Sequence, residues 1–404
     1  MPTTETNKKE AFPGTGKLSF NNTEIAFRSK SDADLNRAYW LFKIIANNFL
    51  VRIGPPITNS ALKMGLPIKG IIRKTIFKHF CGGENIEDCK KAIYSLSSQK
   101  VGTILDYSIE GEDSEEGFDS TYKEILRTVD YAAQHRNEIP FAVFKPTGLG
   151  RFELFAKIDA GEKLTEAETK EFEHVRARFD GICRLSHEKK VKVLIDAEHS
   201  WIQNILDDLV REMMQKYNKE QAIVFHTYQL YRHDKLASLK ADYYLAETEG
   251  FYLGVKLVRG AYMEIERERA AEMGYPSPIQ PDKAATDRDY NESIKFCLEH
   301  LDRVSFMAGT HNEESSHILA EAMAKEGIAA NHDHICFAQL LGMSDHISFN
   351  LAAHGYNAAK YMPYGPVKSV MPYLFRRAQE NTSVAGQTGR ELSLIKQEKA
   401  RRRL

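Results

Sequence analysis

The residues best suited to chemistry in this chain are cations, carboxylates and aromatics set at the ends of short apolar runs. Val101–Tyr107 closes on Asp106-Tyr107-Ser108, Pro140–Phe144 leads into Lys145-Pro146, and Val191–Ile195 leads into Asp196-Ala197-Glu198. Ala222–Thr227 carries His226-Thr227-Tyr228-Gln229, while Leu253–Val258 contains Lys256 and continues into Arg259-Gly260-Ala261-Tyr262. Val304–Ala308 ends on Gly309-Thr310-His311-Asn312, and Ala358–Met362 delivers Tyr361. Beyond them lies Tyr373-Leu374-Phe375-Arg376-Arg377-Ala378-Gln379-Glu380-Asn381, rich in helix formers and free of Gly and Pro. Adjacent residues diverge by about 100° on a helix, but two guanidinium groups can still converge on a carboxylate, which their planar forks match bidentately. By themselves, adjacent arginines are more often a solvated pair; the surrounding strand ends are what make these two interesting.

The set lacks a nucleophile with its own base. Lys145 suits either a Schiff base or a charge partner for Asp196, and without a second lysine to lower its pKa the partner role is favoured. His332 and His334 sit at the start of their run rather than its end, so they do not converge with other ligands as a metal site requires. Gly260 and Ala261 beside Arg259 suit close approach of a flat or phosphorylated group. Cations, small gaps and aromatics without an activated nucleophile point to chemistry carried by a bound cofactor.

The elements that must position these residues alternate. Eight apolar runs, the seven above and His334–Phe337, are separated by amphipathic stretches near 119–136, 166–189, 200–217, 234–249, 286–301, 313–326, 339–352 and 367–380. Continuous apolar runs fit strands buried on both faces. The expected fold is an α/β (β/α)8 barrel over 101–385, which places chemistry at the C-terminal ends of the strands. A doubly wound sheet is the rival, but no Gly-x-Gly-x-x-Gly follows the first strand. Residues 1–100 read as a helical arm, irregular to about residue 30. It then has helices opened by Ser31 and Asp34 as a capping box, across roughly 57–80, and across 86–98. Residues 386–404 read as a basic tail, solvated as chain ends usually are, with weak attraction to an anionic surface as the lesser alternative. With 404 residues, 27% of them charged, and net charge −1, the chain has no basic excess to meet nucleic acid. Its five scattered cysteines and a start without a leader pattern suggest a reducing, cytoplasmic setting.

Taken together, Asp196-Ala-Glu198, Lys256-Leu-Val-Arg-Gly-Ala-Tyr262, Gly309-Thr-His-Asn312 and Tyr373-Leu-Phe-Arg-Arg-x-x-Glu-Asn381 resemble the motifs of the proline dehydrogenase (proline oxidase) family, in order over about 101–385. The resemblance implies a distorted barrel holding FAD. It implies oxidation of L-proline to Δ1-pyrroline-5-carboxylate by hydride transfer from C5 to flavin N5, with electrons passed to a membrane quinone at which the protein is peripheral. It also leaves open a transient contact with a separate pyrroline-5-carboxylate dehydrogenase. Carried over by position, Arg376, Arg377 and Lys145 would hold the substrate carboxylate. Tyr262, Leu340 and Tyr361 would shape the ring pocket, and Asp196 would orient this shell. Lys256, Val258, Arg259, Gly260, Ala261, Thr310, His311, Glu380 and His226 would contact the cofactor. Glu110 or Glu112 would pair with Arg376 as a gate. The chain departs from the bifunctional members at His226-Thr227-Tyr228-Gln229, where those usually have Gln-Ala-Tyr-Gln, and in a longer Pro-rich loop at 263–285. Hydroxyproline oxidation is the near alternative. A Schiff-base lyase using Lys145 or Lys256 and an inactive scaffold are remoter ones.

Overall fold

Each apolar run becomes a strand of one closed parallel barrel in sequential order. The strands are β1 (Val101–Tyr107), β2 (Phe141–Phe144), β3 (Lys192–Ile195), β4 (Val224–Gln229), β5 (Leu253–Val258), β6 (Val304–Gly309), β7 (Ile335–Leu340) and β8 (Ala358–Tyr364). This is a computed structural model that describes residues 17–46, 69–109, 113–383 and 387–404, without the side chains of 69, 71, 74, 375, 377–383, 387 and 388. The barrel closes where β8 pairs with β1 from Val101↔Ala358 to Tyr107↔Tyr364. Helices Glu115–Gln134, Glu166–Lys189, Gln203–Tyr217, Lys235–Glu249, Lys283–Glu299, Glu313–Lys325, Asp345–Ala353 and Val367–Ser383 follow the strands in turn. The expected (β/α)8 fold is the one observed.

Alternation along each strand sorts side chains to the interior or to the helix layer. Toward the N-terminal end the interior is apolar: Ile104, Phe141, Val143, Leu194, Phe225 and Met307 form one buried cluster. Gly254 is part of that fit, since a Cβ there would stand 2.3 Å from the Val224 carbonyl oxygen and 2.9 Å from the Phe225 ring. Two residues further along each strand, the same inward parity presents Asp106, Lys145, Asp196, Thr227, Lys256 and Tyr361, which all line a common cavity. One barrel therefore has a hydrocarbon base and a charged top.

Three stretches differ from expectation. The region before residue 30 contains a short helix, Thr23–Phe27, capped by Asn22, whose side chain accepts from Ile25 N at 3.1 Å. The loop after β5 contains a helix, Met263–Met273. Most consequentially, the basic tail is a helix, Gln387–Arg402. Its Leu394 and Ile395 pack against Leu35, Ala38 and Phe42 of the helix Asp32–Ile45. Ser31 caps that partner helix, its Oγ accepting from Asp34 N at 3.1 Å and donating to Asp34 Oδ2 at 2.7 Å, a cap worth ~1 kcal/mol. The buried side of the terminal helix is half polar, with Glu391 and Glu398 as buried as its aliphatics, so its amphipathic pattern is weak in sequence. Of the stretch expected to be helical over 57–80, residues 69–80 are helical with a π-helical turn at Arg73–Phe77, and 57–68 lie outside the described residues.

Candidate active site

At the C-terminal mouth of the barrel lies a cavity of about 520 Å³, within the range of small-molecule and cofactor sites. Its floor is an ion cluster. Asp196, just past β3, accepts from Lys256 Nζ at 2.6 Å and from the Tyr361 hydroxyl at 2.6 Å, with Lys145 Nζ at 3.8 Å. Lys145 itself donates to both carboxylate oxygens of Asp106, at 2.8 and 2.9 Å. Ser108 also donates to Asp106. The ammonium of Lys256 lies 4.7 Å from the centre of the Tyr361 ring, a cation–π contact that keeps the phenol face fixed.

Burial alone would raise the Asp196 carboxyl pKa, but Lys256 and Lys145, with the two hydrogen bonds, hold it below the usual carboxylate value. Asp196 is therefore a fixed anion clamped between fixed donors. Burial, with the neighbouring Asp106 and Asp196, pushes the Tyr361 phenol well up, so it stays a neutral donor. Asp106 and Asp196 balance Lys145 and Lys256 in charge. Above them the helix Val367–Ser383 brings half-buried Arg376 and buried Tyr373 to the cavity wall.

The second half of the cavity is a cradle at the ends of β5, β6 and β7. Arg259 donates from Nε to Asp287 at 2.8 Å, from Nη1 to Thr310 Oγ1 at 2.6 Å and from Nη2 to Ser315 Oγ at 2.9 Å, and its plane lies over Tyr290 with the ring centre 4.3 Å away. Gly260, at φ 132°, passes so close to Tyr231 that a Cβ would sit 2.5 Å from the ring; both its conformation and its space demand glycine. His311 shares a 2.9 Å hydrogen bond with Ser344 Oγ. Gln229 has a buried Oε1 without a hydrogen-bond partner. Gln229 is among the residues that line this cavity.

The expected site residues Lys145, Asp196, Tyr262, Leu340, Tyr361, Arg376, Lys256, Val258, Arg259, Gly260, Ala261, Thr310 and His311 all line the one cavity. The side chains of Arg377 and Glu380 lie outside the described residues, as do Glu110 and Glu112. His226 is the correction. It does not line the cavity but faces the helix layer, where its Nε2 lies 2.9 Å from Asp207 and its Nδ1 3.6 Å from Asp242. The parity that turns Thr227 and Gln229 inward turns His226 and Tyr228 outward. Lys145, in turn, has Asp106 rather than Asp196 as its nearer carboxylate.

Other wall residues carry no motif. Arg390 of the terminal helix lines the cavity and pairs with Glu313 at 2.7 Å. Glu391 accepts from Ser344 N, and Lys30 and Lys360 both reach Asp345 at 2.9 Å. The terminal helix thus braces the β6 and β7 loops from outside, a role that is set by tertiary contact. For Asp106 the signal was available: it shares inward parity with Ile104 on β1.

The family model described as "Proline dehydrogenase" matches residues 89–390. Proline dehydrogenase 1, mitochondrial, of Dictyostelium discoideum is 32% identical over 96% of this chain and 75% of its own length. Hydroxyproline dehydrogenase of Xenopus laevis is 30% identical over 96% of this chain and 91% of its own. Among solved structures, proline utilization A from Bdellovibrio bacteriovorus superposes with a TM-score of 0.71 at 21% identity. That likeness of fold covers 92% of this chain, which spans 40% of the larger protein. On the family match and the full-length relatives, the chain belongs to the proline dehydrogenase family.

Proposed function

We propose that this cavity oxidises L-proline to Δ1-pyrroline-5-carboxylate, with FAD as cofactor and a membrane quinone as final acceptor. The observation that carries the reading is the ion cluster at the strand ends, with Arg376 brought over it on the last barrel helix. FAD, when bound, supplies the acceptor at N5 for the hydride leaving C5. The residues present fit that group: the cavity is large enough for a ring system, and at its wall the Arg259 guanidinium is fixed by Asp287, Thr310 and Ser315. Val258, Arg259, Gly260, Ala261, Thr310 and His311 would hold it, with Lys256 at the ring and Glu380 as a further anchor.

Arg376 and Arg377 would bind the substrate carboxylate, with Lys145 as a third cation. Cations near the ring nitrogen favour its deprotonated form by charge proximity, and a free lone pair is what lets C5 give up hydride. Asp196 works through Lys256 and Tyr361 and is a positioning residue. Tyr262, Leu340 and Tyr361 would shape the ring pocket, so that the main contribution of the protein is orientation. Residues 101–385 would be the catalytic unit. A separate pyrroline-5-carboxylate dehydrogenase would take the product.

Hydroxyproline is the second substrate to consider, given the frog relative. Tyr361 is 7% exposed and pinned by Asp196 at 2.6 Å, so its ring cannot swing aside to admit a hydroxyl. Proline is therefore the preferred substrate, and Tyr361→Ser should gain hydroxyproline turnover. The direct test is the visible spectrum of the purified protein during anaerobic additions. Bleaching of a flavin spectrum by L-proline, and weaker bleaching by hydroxyproline, is expected. A flavin that proline leaves oxidised would overturn the substrate, and a protein that binds no FAD would overturn the reading.

A further inference from the structure

We infer that the outer face shared by the helices Asp32–Ile45 and Gln387–Arg402 is a docking surface for an anionic lipid bilayer; this rests on the quinone-linked reading above. On the first helix Trp40 is 57% exposed and Ile44 is 52% exposed, one helical turn apart and therefore on one face. Lys43 lies between them, its ammonium 4.7 Å from the Trp40 ring centre and 5.9 Å from that of Tyr39. Tyr39 meets Trp40 edge-on at 5.5 Å.

The second helix joins this surface through Lys399, whose ammonium is 4.6 Å from the Tyr39 ring. Lys396 and Lys399 are three residues apart on this helix and so share one face, with Arg403 in the turn that follows it. Beneath the two helices, Leu35, Ala38, Phe42, Leu394 and Ile395 lock them together, so the aromatic and basic stripes form one rigid surface.

Charge decides the occupant. The carboxylates nearby are already paired: Asp34 with Arg37 at 2.7 Å, Asp32 with Arg402 at 3.0 Å, and Glu398 with Arg401 at 2.8 Å and Arg402 at 2.7 Å. Among the described residues no carboxylate pairs with Lys43, Lys396, Lys399 or Arg403. A surface whose surplus charge is all positive would repel a second copy of itself in a two-fold contact. A bulky indole and an isoleucine among lysines instead suit the headgroup boundary of an anionic membrane, where tryptophan sits and lysine stems reach up to phosphate. The placement also serves the chemistry. Arg390 at the cavity wall and Lys396 are on the same helix, ~9 Å apart along its axis at 1.5 Å per residue, so docking here would set the cavity mouth close to the bilayer.

The test uses the FAD-loaded full chain, phosphatidylcholine vesicles with and without phosphatidylglycerol, and turnover of proline with a soluble dye. The protein should sediment with the anionic vesicles at low salt and not with the neutral ones. Lys43→Glu with Lys399→Glu should weaken that partition at least ~10-fold, at roughly five-fold per basic residue. In a Trp201→Phe background the emission of Trp40 should shift to the blue on binding and be quenched by brominated lipid. Dye-linked turnover should be the same in the charge-reversed variant, which separates this inference from the enzymatic reading. Absence of binding to anionic vesicles, or equal binding of the reversed variant, would overturn it. Self-association in sedimentation velocity that Trp40→Ala abolishes would also overturn it, making a second copy the occupant.

Discussion

Two buried ion clusters lie on opposite sides of the barrel wall and are built from nearly the same parts. Inside the barrel, Asp196 takes a 2.6 Å bond from Lys256 and one of 2.6 Å from Tyr361. In the helix layer, Asp207 takes a 2.6 Å bond from Lys235 and lies 2.9 Å from His226, while Asp242 takes a 2.7 Å bond from Tyr228 and one of 2.7 Å from Arg211. Both clusters are buried, and the partners of Asp196, Asp207 and Asp242 hold all three below the usual carboxylate value against the cost of burial. Access is what separates them. The inner one faces a cavity that Arg376 also lines, whereas the residues of the outer one, His226, Asp207 and Asp242 among them, line no part of it. Buried charge is thus no signature of catalysis; the parity that aims it into a cavity is.

The comparison makes opposite demands on the two clusters. Asp207→Ala should produce the largest effect, since it leaves Lys235 and His226 buried without that carboxylate. Removing one partner from a buried charge pair costs ~3–5 kcal/mol, so the melting temperature should fall steeply while folded protein keeps its KM for proline. A raised KM with normal melting would merge the two clusters into one functional unit. Arg376→Met should do the reverse. Loss of a charged hydrogen bond to the substrate, ~2–3 kcal/mol, should raise KM for proline ~30–150-fold with melting nearly unchanged; an unchanged KM would remove Arg376 from the carboxylate site. Tyr361→Phe should be milder, because Asp196 retains both lysines. We expect about a ten-fold fall in kcat/KM, from ~1.5 kcal/mol, and normal FAD binding by absorbance.

The same parity marks where sequence reasoning succeeds and where it fails. Strands buried on both faces are uniformly apolar, so their existence and order could be read, along with the polar residues at their ends. On β4 polar residues occupy both faces, His226 outward and Thr227 and Gln229 inward, so sequence alone does not separate the faces and only motif position puts His226 with the cofactor. On β1 the shared parity of Ile104 and Asp106 is readable in principle; Lys145 does pair with Asp196, at 3.8 Å, but its closer bond to Asp106 is fixed by distances that sequence does not carry. The terminal helix is hard to read from sequence because its inner face seats Glu391 and Glu398 beside Leu394 and Ile395. Its stability comes from partners far away in sequence, such as Arg402 with the Phe27 and Lys30 carbonyls at 2.8 Å.

The smallest expected effect is on pH dependence, and it tests the closed character of the outer cluster. Burial alone would lower the His226 pKa, but Asp207 and Asp242 outweigh it and raise the imidazole above its usual value. Free imidazole titrates near ~6.5, and each unit by which folding raises that value is worth ~1.4 kcal/mol. For a raised pKa the stabilisation is complete below the unfolded value and is lost as pH climbs through the folded one. Melting temperature should therefore decline by a few degrees at pH values above neutrality, and His226→Gln should remove that decline at the cost of a lower plateau. Proline turnover, governed by deprotonation of the substrate amine, should rise over the same range in both proteins. If the turnover profile shifts in His226→Gln while the melting profile does not, the proton on this histidine is felt in the cavity. The strand wall between the two clusters would then transmit charge rather than insulate it.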